Sequence, residues 1–335
     1  SQGFAADALS VANARDVNLV SWDRSDKQPT AYQWNVNTQR ELPGQVVVEV
    51  GYFYNRLVNN WRSIDGNPAP PGPGNLNRRR LYQTTAVPPT DDVITLANVT
   101  RIQKDGWSQY HGLQTKFEKR YSKGISLLAA YTWSKTRGLE GGYQDYTNID
   151  AEVAPTSTDR RHHFVGSGVY ELPFGHNRSI GGDWGGLTNA LLGGWSVSPI
   201  LTVTSGAPLN LTVNGNPSNS SGTDRPNVVG EWRLDEPTAD QWFNTSAFVA
   251  NAPFTYGNAP KNLIRGPGYF NLDISIQKAF RVSEGVRADI RFESFNATNA
   301  VNLGNPNTTV GDVNFGRISS AGAARQSQVA VKLLF

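Results

Sequence analysis

The densest polar cluster in this 335-residue chain is Asp159-Arg160-Arg161-His162-His163, where two adjacent histidines raise the prospect of a metal site. Neighbouring side chains leave an extended strand on opposite faces, so both imidazoles cannot easily bind one ion. A strand entry fixed by ion pairs is the better reading. Asp289 and Glu293 could form an acid/base pair, but Arg287 and Arg291 alternate with them on the same face, which describes satisfied ion pairs along a wet wall. Lys116 and Glu118 fall on such a face too. Arg78-Arg79-Arg80 could meet an anionic group or be a solvated charge run. The sequence contains no Gly-X-Ser-X-Gly, phosphate-loop or His-Glu-X-X-His pattern, and its lack of cysteine removes thiolate nucleophiles and thiolate metal sites. Nothing here points to an enzyme or a cofactor.

The elements that carry these residues read as strands with period two. Val286, Ala288, Ile290 and Phe292 oppose Arg287, Asp289, Arg291 and Glu293, so one face is apolar and the other charged. A charged face between two dry layers would be very costly, so it needs solvent or a wet lumen. Phe270, Leu272, Ile274 and Ile276 alternate with Asn271, Asp273, Ser275 and Gln277 in the same manner, and Val282 to Gly285 closes a hairpin. Earlier runs over 32–39, 46–54, 113–118, 125–134, 164–172 and 195–204 repeat the plan, although Pro199 weakens the last. The terminal Val329, Val331, Leu333 and Phe335 face away from Gln328, Ala330 and Lys332. About nine strands result, each near the ~9 to 11 residues that cross a bilayer at a tilt, with an extra one expected at Val17 to Trp22.

Connection lengths carry a second signal. The links 40–44, 121–124 and 282–285 are short, whereas 56–106, 137–159, 207–267 and 297–324 are long and rich in Gly, Pro, Asn and Ser. Short periplasmic turns alternating with long extracellular loops are the habit of outer-membrane barrels; the glycine-rich link 173–193 is the exception. Aromatics near strand ends (Tyr52, Tyr54, Tyr131, Trp133, Tyr170, Trp195, Phe335) fit interfacial girdles, or simply reflect strand propensity. Mean hydropathy of -0.45 and the absence of a long apolar run exclude a helical membrane protein, and a net charge of +3 is too mild to imply nucleic acid. The expected fold is therefore all-β, an antiparallel transmembrane barrel.

The segments 33–44, 112–135, 159–175, 191–209, 266–280, 291–307, 315–318 and the terminal RQSQVAVKLLF resemble the C-terminal barrel region of TonB-dependent receptors, nearest to the Oar-like branch that carries a carboxypeptidase-regulatory-like domain. The resemblance implies that residues 1–335 are one C-terminal part of a receptor barrel whose about 22 strands enclose a plug. It also implies import of a scarce large solute, coupling to TonB through an N-terminal region outside these residues, and insertion by the barrel assembly machinery reading Phe335. No methionine and no basic, apolar leader occurs, so a processed or internal piece is expected, with the rest of the wall supplied by a missing half or other chains.

Within that frame Lys116, Glu118, Arg287, Asp289, Arg291 and Glu293 are expected to line the lumen. The long loops are expected to meet ligand or lipopolysaccharide, with Arg78, Arg79, Arg80, Trp232 and Trp242 as contacts; Phe243 and Phe248 add apolar mass to the same loop. Two other readings compete. A surface barrel could act in adhesion or assembly without transport, and a soluble β-sandwich would have to bury its apolar strand faces against each other.

Overall fold

The computed structural model describes residues 17–87, 92–176, 178–283 and 285–335. Nine strands follow one another as an up-and-down antiparallel sheet: β1 (Thr30–Leu42), β2 (Val46–Asp65), β3 (Asp92–Ser122), β4 (Ile125–Gly138), β5 (His162–Glu171), β6 (Trp195–Thr204), β7 (Tyr269–Ser283), β8 (Val286–Phe295) and β9 (Gln326–Leu334). Each strand pairs with its sequence neighbour, so every ladder is local and no crossover is needed.

Register decides which side chains share a face. Trp34, Tyr54 and His111 stand opposite one another across β1 to β3, and Thr115, Tyr131, Phe164, Val203 and Phe270 continue one outward row from β3 to β7. Ile276 meets Val197 on one side and Phe292 on the other, and Phe292 meets Val329. The apolar residues of nine strands therefore form one continuous surface. Among the described residues no second layer of sheet covers it: Trp34, Val36, Trp133, Phe270, Val331 and Leu333 are all exposed. The sandwich reading fails on this point, because its apolar faces would have to meet.

Aromatics fall into two rows on that surface. Near the long-loop end Trp34 packs on Tyr52 and Tyr54 at ring distances of 5.4 and 5.6 Å, and Tyr131 stacks on His162. Near the short-turn end lie Tyr170, Trp195 and Phe280. Eight residue steps separate His162 from Tyr170, roughly 26 Å along a strand and about 19 to 22 Å along the axis at a tilt of ~35 to 45°, so the two rows fall within the ~25 Å apolar band of an outer-membrane barrel and its flanking girdles. Alignment in rows across neighbouring strands is more than strand propensity supplies.

The short connections have the chemistry they need. Lys123 and Gly124 both take positive φ (52° and 79°) between paired Ser122 and Ile125, the two-residue turn whose twist suits a hairpin. Pro199 sits in mid-sheet rather than at an edge. The ladder from β6 to β7 runs through it opposite Ile274, while the ladder to β5 lapses near Gly168, so the absent donor costs pairing on one side only.

Two expectations need correction. The stretch 56–106 is not mainly loop: β2 continues to Asp65 and β3 begins at Asp92, pairing as far out as Asp65 with Thr100. Beyond the apolar band both faces are wet, so alternation lapses although pairing continues. The expected strand at Val17–Trp22 exists, but it runs parallel to the outer part of β3 and adds no edge to the sheet. Link 173–193 holds a short helix, α1 (Gly186–Leu192).

Candidate functional site: a charged wall beneath a folded loop cap

The face opposite the aromatics carries Lys116, Glu118, Arg287, Asp289, Arg291 and Glu293. Glu49 pairs in register with Lys116, which lies 2.8 Å from Glu118. Five strands away Arg287 Nε contacts Asp289 Oδ1 at 2.6 Å, Arg291 approaches Glu293 at 3.5 Å, and Gln328 Nε2 donates to Glu293 Oε2 at 2.6 Å. Arg287, Asp289 and Arg291 join Glu171, Arg178 and Lys332 around a depression of about 450 Å³ near the short-turn end. Lys116 and Glu118 stand apart from it. Glu118, Asp289 and Glu293 are each held by a cation on the same strand, an arrangement suited to a wet wall.

The same face also bears residues that strand reading passed over. Leu128 stands beside Ser167, which stands beside Ile200, and with Val169 they line a shallow depression of about 650 Å³ bounded by Glu118 and Arg120. Leu128 is 44% exposed and Ile200 49%. The signal was available: Leu127-Leu128 and Ile200-Leu201 are consecutive apolar pairs, and in a strand one member of each must face the polar side.

Above the wall the long connections fold into a cap. Leu211, Phe243, Ala247, Phe248 and Ile264 form its buried core, with Trp232, Trp242 and Phe315 packed against it. Trp242 Nε1 donates to the Arg265 carbonyl at 2.7 Å, and Arg233 lies over the Trp232 ring at 4.3 Å. Buried Glu152 takes both arms of buried Arg225, at 2.7 and 3.0 Å, which ties loop 139–161 to loop 205–268. The fit is close: a Cβ at Gly222 would come within 1.9 Å of the Gln144 carbonyl, and one at Gly257 within 1.9 Å of the Arg225 carbonyl. Lys261 donates to the Glu140 carbonyl at 2.5 Å, and burial pushes its ammonium below the ordinary 10.5. Burial also raises the Tyr143 hydroxyl above its usual value.

The arginine run divides. Arg80 pairs with Asp65 at 2.8 Å and Arg79 donates to the carbonyls of Pro70 and Asn219, so both bind the cap together. At the strand entry Asp159 is buried, accepts from Thr136 N at 2.6 Å and pairs with Arg265. His162 contacts the Tyr131 hydroxyl and His163 the Thr204 hydroxyl, on opposite faces. No group of three metal-ligating side chains occurs among the described residues.

A continuous apolar surface with two aromatic rows, a charged reverse face, tight turns at one end and a folded cap at the other defines the wall of a membrane-spanning antiparallel barrel. The family model for the outer membrane beta barrel domain matches residues 1–328, and the chain belongs to that family, which places it in the outer membrane. No curated protein matches it. Among solved structures it is similar in fold to the ferric-catecholate import receptor Fiu from Escherichia coli K12, at 11% identity and a TM-score of 0.43, covering 92% of this chain and 28% of that one. The outer membrane transporter YddB from Escherichia coli gives 9% identity and a TM-score of 0.48 over 96% and 34%. The FrpB iron transporter from Neisseria meningitidis gives 10% and 0.44 over 95% and 33%. The chain thus spans about one third of the length of these proteins.

Proposed function

We propose that this chain is part of the barrel of a TonB-dependent outer-membrane receptor that imports a scarce solute too large for porins. The observation that carries the reading is the bare patch of Leu128, Val169 and Ile200 on the charged face. A lumen left open to water would leave those side chains solvated, whereas a domain seated inside the barrel covers them and meets the ion-paired row at Arg287, Asp289, Arg291 and Glu293. In this reading the charged face is the lumen wall, and the cap carrying Trp232, Trp242 and Arg78 takes ligand from outside.

The sheet edges support the same view. Among the described residues β1 and β9 each pair on one side only. Nine alternating strands send the first and last in the same direction, so direct closure would need a parallel seam, while bacterial single-chain barrels are antiparallel and even-numbered. Further strands, an odd number of them, complete the wall. The experiment is to purify the native protein from outer membranes, assay its binding to the periplasmic domain of TonB and record its conductance in a planar bilayer. Binding with no steady conductance is the expected result. A protein that neither binds TonB nor needs it for any uptake is a surface barrel acting through its interlocked loops, the second reading.

A further inference from the structure

Lys278 occupies an unexpected position. On β7 it lies in the apolar row between Ile276 and Phe280, opposite Trp195 of β6 and Ile290 of β8. An ammonium in a lipid-facing row is costly unless it reaches water or good acceptors. Lys278 is nevertheless only 4% exposed. Its Nζ donates to the Ala190 carbonyl at 2.5 Å and the Asn189 carbonyl at 3.4 Å, and it lies 4.8 Å from the Phe280 ring and 5.4 Å from the Trp195 ring. Trp195 in turn donates its Nε1 to the Leu191 carbonyl at 2.9 Å. Two outward residues of the wall therefore grip the last carbonyls of α1, the end of a helix that carries partial negative charge. This fixes α1 on the aromatic side of the sheet, level with the lower aromatic row.

The rest of the link is folded around that attachment. Phe174 stacks on Trp184 with centroids 6.5 Å apart, and the Asn189 side-chain oxygen accepts from His176 N at 2.8 Å. Yet its apolar side chains have no protein cover: Leu187 is 77% exposed, Leu191 60%, Leu192 53% and Ile180 47%. Leu187 and Leu191 stand one turn apart on the same side of α1.

We propose that residues 180–194 form a foot lying in the periplasmic leaflet of the outer membrane, with Leu187, Leu191 and Leu192 among the acyl chains of its phospholipids, while Arg178 reaches back to Glu171 at the charged face. The proposal rests on the apolar sheet face meeting lipid, and that continuity is what selects lipid over a protein partner: the foot sits on that same face, beside the row that marks its lower boundary. It also accounts for a link longer than a periplasmic turn requires. The foot hides Lys278 from lipid and adds an apolar contact at one depth, which sets how far the wall sinks.

No cysteine occurs in these residues, so single cysteines can be placed in the intact protein at Leu187, Leu191, Ile274 and Asn219 and labelled with a fluorophore. The protein is reconstituted in phosphatidylethanolamine and phosphatidylglycerol vesicles and quenched either by nitroxide-bearing lipid or by aqueous iodide. Labels at Leu187 and Leu191 should be quenched by lipid nitroxide to an extent comparable with Ile274, while Asn219 in the cap responds to iodide alone. Iodide-only quenching at Leu187 and Leu191, with lipid quenching intact at Ile274, overturns the foot and leaves the barrel wall standing. Iodide-only quenching at Ile274 as well overturns both. Lys278→Met in the Leu191→Cys protein should lower lipid quenching at Leu191 with Ile274 unchanged; an unaltered Leu191 signal refutes the grip on α1.

Discussion

Glu152 and Arg225 are both withdrawn from water, so each depends on the other. Removing one partner of a buried pair leaves an uncompensated charge, at a cost of ~3 to 5 kcal/mol. Glu152→Gln should therefore loosen the cap without dissolving the sheet, seen as faster amide exchange over 139–161 and 205–268 while β4 to β8 stay protected. Equal loss of protection in the strands would show that the cap and wall unfold together. The pair was invisible in the sequence because its members are 73 positions apart and a two-way carboxylate–guanidinium contact leaves no local pattern. Arg79 makes the same point. Read as part of a run it could contact ligand or water, but one of its partners, Asn219, lies 140 residues away. His162 and His163 were legible, because the opposite-face geometry of a strand is a local rule.

At the scale of the strand, the alternation was legible wherever lipid enforces it. Ile274 shares its row with Leu272 and Ile276, whereas Asp289 faces the charged side, and the two should respond differently to substitution. Arginine at a lipid-facing midplane site costs ~2 to 4 kcal/mol, and changes on the lumen side are milder. Ile274→Arg should accordingly destabilise the folded protein in vesicles by about that amount, and Asp289→Asn by less than about 1 kcal/mol as for an exposed ion pair, measured by urea unfolding. Similar costs at both positions would mean that the faces have been assigned the wrong way round. Deleting Phe335, which is 97% exposed and packs on nothing, should lower the amount that reaches the membrane far more than the unfolding midpoint of what does. Normal membrane levels would remove the residue from assembly. What pattern could not reveal was the outward reach of β2 and β3, because beyond the bilayer their ladder is held by contacts such as Arg62 with Asp105 at 2.6 Å and Lys104 over Trp61 at 4.7 Å.

At the scale of the whole molecule, the open edges make a prediction about neighbours. In the receptor reading further strands lie between β1 and β9, so cysteines at Val36 in β1 and Val331 in β9 should not form a disulfide within one native protein. Efficient intramolecular linkage would establish a small closed barrel and end the receptor reading. The two tall strands have a consequence for access. β2 has 20 residues and β3 has 31, roughly 65 and 100 Å at the rise of a strand, while β5 and β6 have 10 each. The wall therefore continues outward as paired strand at β2 and β3, whereas beside β5 and β6 the same space is filled by the loops 139–161 and 205–268 of the cap. Whatever nears the wall from outside thus meets main-chain ladder on one bearing and packed side chains on the other, two barriers that yield differently: a ladder must break its hydrogen bonds in sequence, whereas a packed loop can swing aside as one body.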